Sequence, residues 1–209
     1  MKARNTTHLP TGEGKAQADP AVERLMAENR RLREELRRAA KQVADLEELA
    51  DKDSLTSVLN RRAFLREMSR MVAFAERYDG LCSLLYFDLD GMKSINDGHG
   101  HGAGDAALSH VAQALVGNLR ASDLVGRLGG DEFGVLLTQA DRETALAKAK
   151  NLAAAVAARR VDWHGARIPV RVSFGVHTLV RGETQEQALE AADRAMYAQK
   201  SQPRVKGTE

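Results

Sequence analysis

Cysteine is almost missing from this sequence: Cys82 stands alone among 209 residues, which excludes an internal disulfide. It sits inside an apolar run, where a small buried hydrophobe is the expected role. An excess of charge of one sign is missing as well. The 31 basic and 29 acidic residues leave a formal charge of +2, so no global polycation argues for nucleic acid or a membrane surface. Long apolar runs are absent too. No stretch approaches the ~20 residues of a membrane span, and the N-terminus has no apolar signal-peptide core. No internal repeat occurs. The expectation is a cytoplasmic protein with neither nucleic acid nor membrane among its partners. What the chain does have is 43% apolar residues, enough for a packed core, and a length that fits one ordinary domain plus an appendage.

Residues 1–19 are rich in Gly, Thr, Lys and Pro, carry no apolar period and read as a disordered tail. Pro20 begins a heptad seam over 20–52. Val22, Asn29, Leu36, Val43 and Ala50 take one core position, and Leu25, Leu32, Ala39 and Leu46 the other. A narrow seam of roughly four heptads favours a parallel coiled-coil dimer over a lone amphipathic helix packed on its own domain. Asn29 in the core lowers stability but fixes register, and Glu28 stands where it can pair with Arg33 of a partner helix. Arg30, Arg31, Arg37 and Arg38 face outward. They are interleaved with the seam instead of preceding it, which marks a solvated face and not a zipper-type DNA-binding region.

From 53 to 205 the pattern alternates between helix and strand. Helices are expected over 57–78, 104–119 and 141–158, and a last one through Lys200 opened by a Thr184–Gln187 capping box. Residues 81–87 form a nearly continuous apolar run, typical of a strand covered on both faces. Strands at 125–128 and 133–137 flank Gly129-Gly130 as a hairpin. Residues 168–176 read as one strand, with a bend allowed by Gly175. Helices and strands thus mix around one sheet, an α+β arrangement, and 206–209 are left as a tail.

Two segments carry chemistry. Phe87-Asp88-Leu89-Asp90 ends the apolar strand on a carboxylate, and Asp is costly to bury unpaired. Gly129-Gly130-Asp131-Glu132-Phe133 puts two more carboxylates directly after a glycine turn, where backbone can approach a ligand closely. If the two strands are neighbours, Asp88 and Asp131 converge, and converging carboxylates repel unless a hard divalent cation lies between them. Mg²⁺ binds through one or two carboxylates plus substrate phosphates, so the outline is a metal–triphosphate site. For the hairpin alone, an acidic turn facing water is the simpler reading. The acid at the end of an apolar strand shifts the balance.

These residues resemble the GGDEF family of diguanylate cyclases, named for the pentapeptide at 129–133. The resemblance covers 53–205 in five ordered blocks. Asp53-Ser54-Leu55-Thr56 with Asn60-Arg61-Arg62-Ala63-Phe64 opens it. Phe87-Asp88-Leu89-Asp90 follows, with Lys93, Ile95-Asn96-Asp97, Gly100-His101 and Gly104-Asp105. The pentapeptide, then Val172-Ser173-Phe174-Gly175-Val176, then Ala192-Asp193-Arg194-Ala195-Met196-Tyr197 complete it.

The resemblance implies a nucleotidyl-cyclase-like fold, with a central, mainly antiparallel sheet surrounded by helices. It implies an enzyme that condenses two GTP into cyclic di-GMP and two pyrophosphates. By position, Asp88, the Leu89 carbonyl and Asp131 would hold Mg²⁺, with Mn²⁺ as a substitute. Asp131 would also help deprotonate the attacking ribose 3′-hydroxyl. Glu132 would support the metal site, and Lys93 would offset phosphate charge in the transition state. Asn96 and Asp105 would read guanine. His101, Gly129 and Gly130 would line the GTP site, and Lys200 and Arg204 would contact the triphosphate. Arg120 and Asp123 resemble the family's inhibitory Arg-x-x-Asp, which binds dimeric product. Arg forks onto phosphate or stacks on guanine, and Asp accepts from guanine's edge. Simpler roles compete for single residues: a helix-start acid for Asp105, a turn cap for Asn96, an exposed loop position for His101.

The chain departs from the family in two places. Pro203 stands for the Gly of the usual closing Lys-x-x-Gly-Arg-Asn, which restricts φ and is expected to redirect the tail. Asn151, beside Lys150, stands where the family often has a further inhibitory-site arginine, so weaker product inhibition is expected. A symmetric product requires two active sites face to face, so the resemblance implies a homodimer, gathered by the coiled coil. The alternative is a catalytically weak relative acting as a GTP or cyclic di-GMP receptor or scaffold. Such forms normally carry damaged glycine or acidic positions, and here Asp88, Gly129, Gly130, Asp131 and Glu132 are intact.

Overall fold

In the computed structural model of this chain, residues 20–78 and 80–200 are described, the side chains of 43–49 and 76 excepted. The expected tails at 1–19 and 206–209, and Pro203 and Arg204, lie outside the described residues. The chain divides into two compact units, Met1–Glu47 and Glu48–Glu209.

The first unit is helical. Pro20 opens α1 (Pro20–Asp51) at a position where its missing N–H costs nothing. Val22, Leu25, Leu32 and Leu36 of the heptad seam are all exposed, Leu36 by 71%. On the outer face Arg31 Nε donates to Glu35 Oε1 one turn on (3.0 Å).

The second unit is built on a five-stranded sheet in the order β1-β3-β4-β2-β7. Its strands are β1 (Leu59–Asn60), β2 (Cys82–Leu89), β3 (Leu124–Arg127), β4 (Glu132–Thr138) and β7 (Val172–Thr178). Only β1 and β3 are parallel. The expected fold class therefore holds. β2 lies inside the sheet, between β4 and β7, and sequesters both of its faces, as its unbroken apolar run requires. Leu84 and Tyr86 face α2 (Arg61–Arg77) and α6 (Gln185–Lys200), packing with Phe64, Met68, Leu136 and Met196. Leu85, Phe87 and Leu89 turn to the other face, among Leu108, Val111 and Leu115 of α4 (His101–Val116) and Leu152 and Val156 of α5 (Arg142–Ala157). Each such side chain contributes roughly 2 kcal/mol by leaving water.

The helix starts follow local chemistry. The Asn60 side chain accepts from Ala63 N–H (3.0 Å) and caps α2. Thr184 and Gln187 form the expected reciprocal capping box, with bonds of 2.9 and 3.3 Å. Other expectations are corrected. Residues 57–78 are not one helix, because Leu59–Asn60 pair with β3 first. The helix expected at 104–119 begins at His101 and ends at Val116. A further helix, α3 (Met92–His99), precedes it, and the two are separated by Gly100 at φ +84°. The strand expected over 168–176 is two strands. β6 (Ala166–Pro169) pairs only with β5 (Arg160–Trp163) in a separate ribbon, and β7 starts afresh after Pro169, which cannot donate to a ladder. Gly175 makes no bend. It lies within β7, and a Cβ there would strike the backbone of α6 at Ala192 and Met196. Its role is close approach of helix to sheet.

Candidate active site

The site forms where β2 and the turn between β3 and β4 end side by side. Asp88 is paired with Glu132 across the ladder, so both carboxylates share the α2/α6 face. The Leu89 N–H donates to the Asp131 carbonyl (3.1 Å), which brings the acidic turn against the strand end. Asp88 keeps only 18% of its side chain exposed, and Lys200 Nζ donates to its Oδ1 at 2.5 Å. Burial pushes the Asp88 carboxyl up. Lys200 pulls it down, while Asp131 and Asp90 push it further up, and the net direction is upward.

The turn is held from below. Arg127 donates through Nε and Nη2 to the Gly130 carbonyl (3.2 and 2.6 Å), and through Nη1 to Asp53 (3.2 and 3.4 Å). Asp53 also accepts from the Thr56 N–H and hydroxyl (2.9 and 2.6 Å). Burial works to raise the Asp53 carboxyl, but Thr56 and Arg127 outweigh it and hold it below the ordinary range. Arg61 donates to the Leu128 carbonyl (2.9 Å). A Cβ at Gly129 would collide with the Glu132 carboxylate, so that glycine leaves the acid its place. The Tyr86 phenol, two residues before Asp88 on the same face, is pushed far up by burial and then by its hydrogen bond to Glu132.

The guanine-reading candidates lie on α3 and α4. Asn96 sits inside α3 and is no turn cap. Its buried Oδ1 has no hydrogen-bond partner among the described residues, and a Cβ at Gly104 would collide with it. An orphaned buried acceptor is costly, and a ligand N–H would satisfy it. Asp105, next to Gly104, is exposed in the second turn of α4 and does not start the helix. His101 is the exposed first residue of α4, not a loop residue. Lys93 is exposed in the first turn of α3. Arg120 and Asp123 close a turn on themselves: each backbone N–H bonds the other residue, Arg120 to Asp123 Oδ2 and Asp123 to the Arg120 carbonyl, both at 3.0 Å. This turn precedes β3, one short strand of about 13 Å from the acidic turn. Two grooves of about 570 and 420 Å³ flank α2 but include none of these residues.

Among the described residues no three His, Cys, Asp or Glu side chains converge on one point. Asp88, Asp131 and the Leu89 carbonyl still fit a divalent ion that keeps open positions for phosphate oxygens, the habit of Mg²⁺. The partly buried Asp88 carboxylate, with Asp131 and Asp90 as acidic neighbours and a cation already drawn to it, is the observation that fits them to a cation.

Sequence reasoning missed Tyr86, Arg127 and the hairpin role of Arg61. Tyr86 was within reach, because residues two apart on a strand share a face. Arg127 carried no signal, since its partners lie 74 residues back and in a turn carbonyl.

A mixed sheet with a strand-end carboxylate beside a Gly-Gly-acid-acid turn is the frame of this site. Comparison narrows this: the family model described as "Diguanylate cyclase, GGDEF domain" matches residues 50–206, and the chain belongs to that family. It is 39% identical over 163 residues to the diguanylate cyclase TpbB of Pseudomonas aeruginosa, across 77% of this chain and 38% of TpbB. The chain thus spans well under half of that relative. Its structure is similar to diguanylate cyclase SiaD from Pseudomonas aeruginosa, solved with its activator SiaC (TM-score 0.71, 30% identity, 86% of this chain and 75% of the solved chain). It is also similar to the coiled coil and GGDEF domain of DgcB from Caulobacter crescentus, solved with c-di-GMP (TM-score 0.74, 26% identity, 84% and 94%). No helix among the described residues is long and apolar enough to cross a membrane.

Proposed function

We propose that this chain is a diguanylate cyclase, condensing two GTP into cyclic di-GMP with release of two pyrophosphates. The observation that carries this is Asp88, partly buried at the end of β2, set against an intact Gly129-Gly130-Asp131-Glu132 turn whose Asp131 carbonyl accepts from the Leu89 N–H. Asp88, Asp131 and the Leu89 carbonyl would hold Mg²⁺ or Mn²⁺, which when bound would supply positive charge to the triphosphate and lower the barrier to attack at the α-phosphate. Asn96 and Asp105 orient guanine. Asp131 takes the proton from the 3′-hydroxyl as that oxygen bonds to the α-phosphorus of the second GTP and pyrophosphate leaves. Lys93 meets the charge that develops on the phosphates. Glu132, oriented by Tyr86, supports the metal carboxylates.

Each GTP needs its own site, so the reaction belongs to a dimer, and the seam of α1 supplies the contact. DgcB, similar over most of this chain, was solved as a coiled coil and GGDEF domain, which supports that reading. Product returns to Arg120 and Asp123 as an inhibitor. Incubating the protein with GTP and Mg²⁺ should give cyclic di-GMP and pyrophosphate. Asp131→Ala should lower synthesis at least roughly a thousandfold, as loss of a metal-binding and proton-accepting group does, with an unchanged circular-dichroism melt. Cyclic di-GMP from that variant at a wild-type rate would refute the assignment.

A further inference from the structure

Lys200 is the last described residue of α6, and its position is fixed by more than its own long side chain. One residue earlier, Gln199 Oε1 accepts from the Phe174 N–H of β7 (3.2 Å). Phe174 is in register with Phe87, and Ser173 with Asp88. Further back, α6 lies so close to β7 that Gly175 admits no Cβ. The last turn of α6 is thereby pinned beside the end of β2, and the Lys200 ammonium rests on Asp88 Oδ1 at 2.5 Å. It contacts the carboxylate that a metal would take, on a side where both groups are partly withdrawn from water, at 32% and 18% exposure.

We infer that Lys200 is the counter-ion of Asp88 in the nucleotide-free protein, and that it yields this carboxylate to the metal only when a triphosphate arrives to accept its ammonium. The inference rests on the metal–triphosphate reading of the site. A divalent ion entering alone meets a carboxylate already paired, and must share it with a second cation at short range, where repulsion is poorly screened. A metal arriving with a triphosphate brings surplus negative charge, and Lys200 gains a new partner as it gives up the old one. Lys200 thus couples metal and nucleotide binding, and such coupling is reciprocal. The enzyme binds the two together and holds little metal while idle.

The test is Mn²⁺ titration of the nucleotide-free protein, followed by the electron paramagnetic resonance of free Mn²⁺. It uses wild type, Lys200→Met, Lys200→Arg and Asp88→Asn, each with a thermal melt to confirm folding. Lys200→Met should bind Mn²⁺ about fivefold more tightly than wild type, the loss of one partly exposed competing charge, and Lys200→Arg should stay close to wild type. In EDTA, Lys200→Met should bind 3′-deoxy-GTP about fivefold more weakly. Equal or weaker Mn²⁺ binding by a folded Lys200→Met overturns the inference while leaving the metal site standing. Undiminished Mn²⁺ binding by Asp88→Asn removes the metal site itself, and the inference with it.

Discussion

At the scale of single residues, the site depends on neighbours that carry no motif. Asp88 was legible because an acid closing an apolar strand demands compensation, and Asp131 because a glycine turn precedes it. Tyr86 was read only as part of the apolar run, yet its phenol lies beside the Glu132 carboxylate, the second cause of its raised pKa after burial. The two roles are separable. Tyr86→Phe keeps the buried ring, only 7% exposed, and removes the donor. We expect kcat to fall roughly tenfold, the cost of one bond to a charged group, with KM for GTP within about a factor of two. The melt should drop by a few degrees, since about 1 kcal/mol shifts Tm by ~2–4 °C in a domain of this size. Steady-state kinetics decides it: an unchanged kcat would mean that Glu132 needs no orientation.

At the scale of elements, periodicity revealed what had enough apolar anchors. The strand at β2 and the hairpin of β3 and β4 were legible to within a residue or two. Helix α3 was not, because Ile95 is its one buried residue and a single anchor shows no period. The ribbon of β5 and β6 escaped for the same reason, with Ile168 as its only fully buried side chain. The bracing of the acidic turn was equally hidden, since hydrogen bonds to carbonyls leave no trace in a pattern. Arg127 joins that turn to Asp53, just after α1 ends. The last turn of α1 is itself tied to α2, by Asn60 to the Ala50 carbonyl (2.7 Å) and Arg66 to Asp51 (3.1 and 2.5 Å). Arg127→Ala should therefore lower kcat about tenfold by releasing the Gly130 carbonyl, with Arg127→Lys partly restoring it. The Asp53 partner adds a pH signature. Its folded pKa is depressed, so its contribution is full above the ordinary Asp value near 4 and is lost as pH falls through the folded value. Asp53→Asn should cost stability at neutral pH and converge with wild type as pH falls through the depressed folded value. Parallel melting curves for the two across acid pH would show that the pair contributes nothing.

At the scale of the whole molecule, the heptad seam was legible because it is a strict alternation of threes and fours, and α1 carries it as a helix from Pro20. On one chain Leu25, Leu32 and Leu36 are each more than half exposed. A second copy in register would cover them, with Asn29 paired across the core. Such a dimer raises the effective concentration of one GTP-loaded domain at the other to the millimolar range of short tethers. Leu36→Asp places like charges opposite each other in that core, at a cost of roughly 3 kcal/mol, or about a hundredfold in dimer affinity. Sedimentation should then show monomer at micromolar protein where wild type is dimeric. Specific activity should fall steeply on dilution and recover as protein is concentrated, because the catalytic residues are untouched. A monomeric variant with wild-type turnover at nanomolar protein would separate catalysis from the seam. In that case a surface on the GGDEF domain itself would have to bring the two sites together.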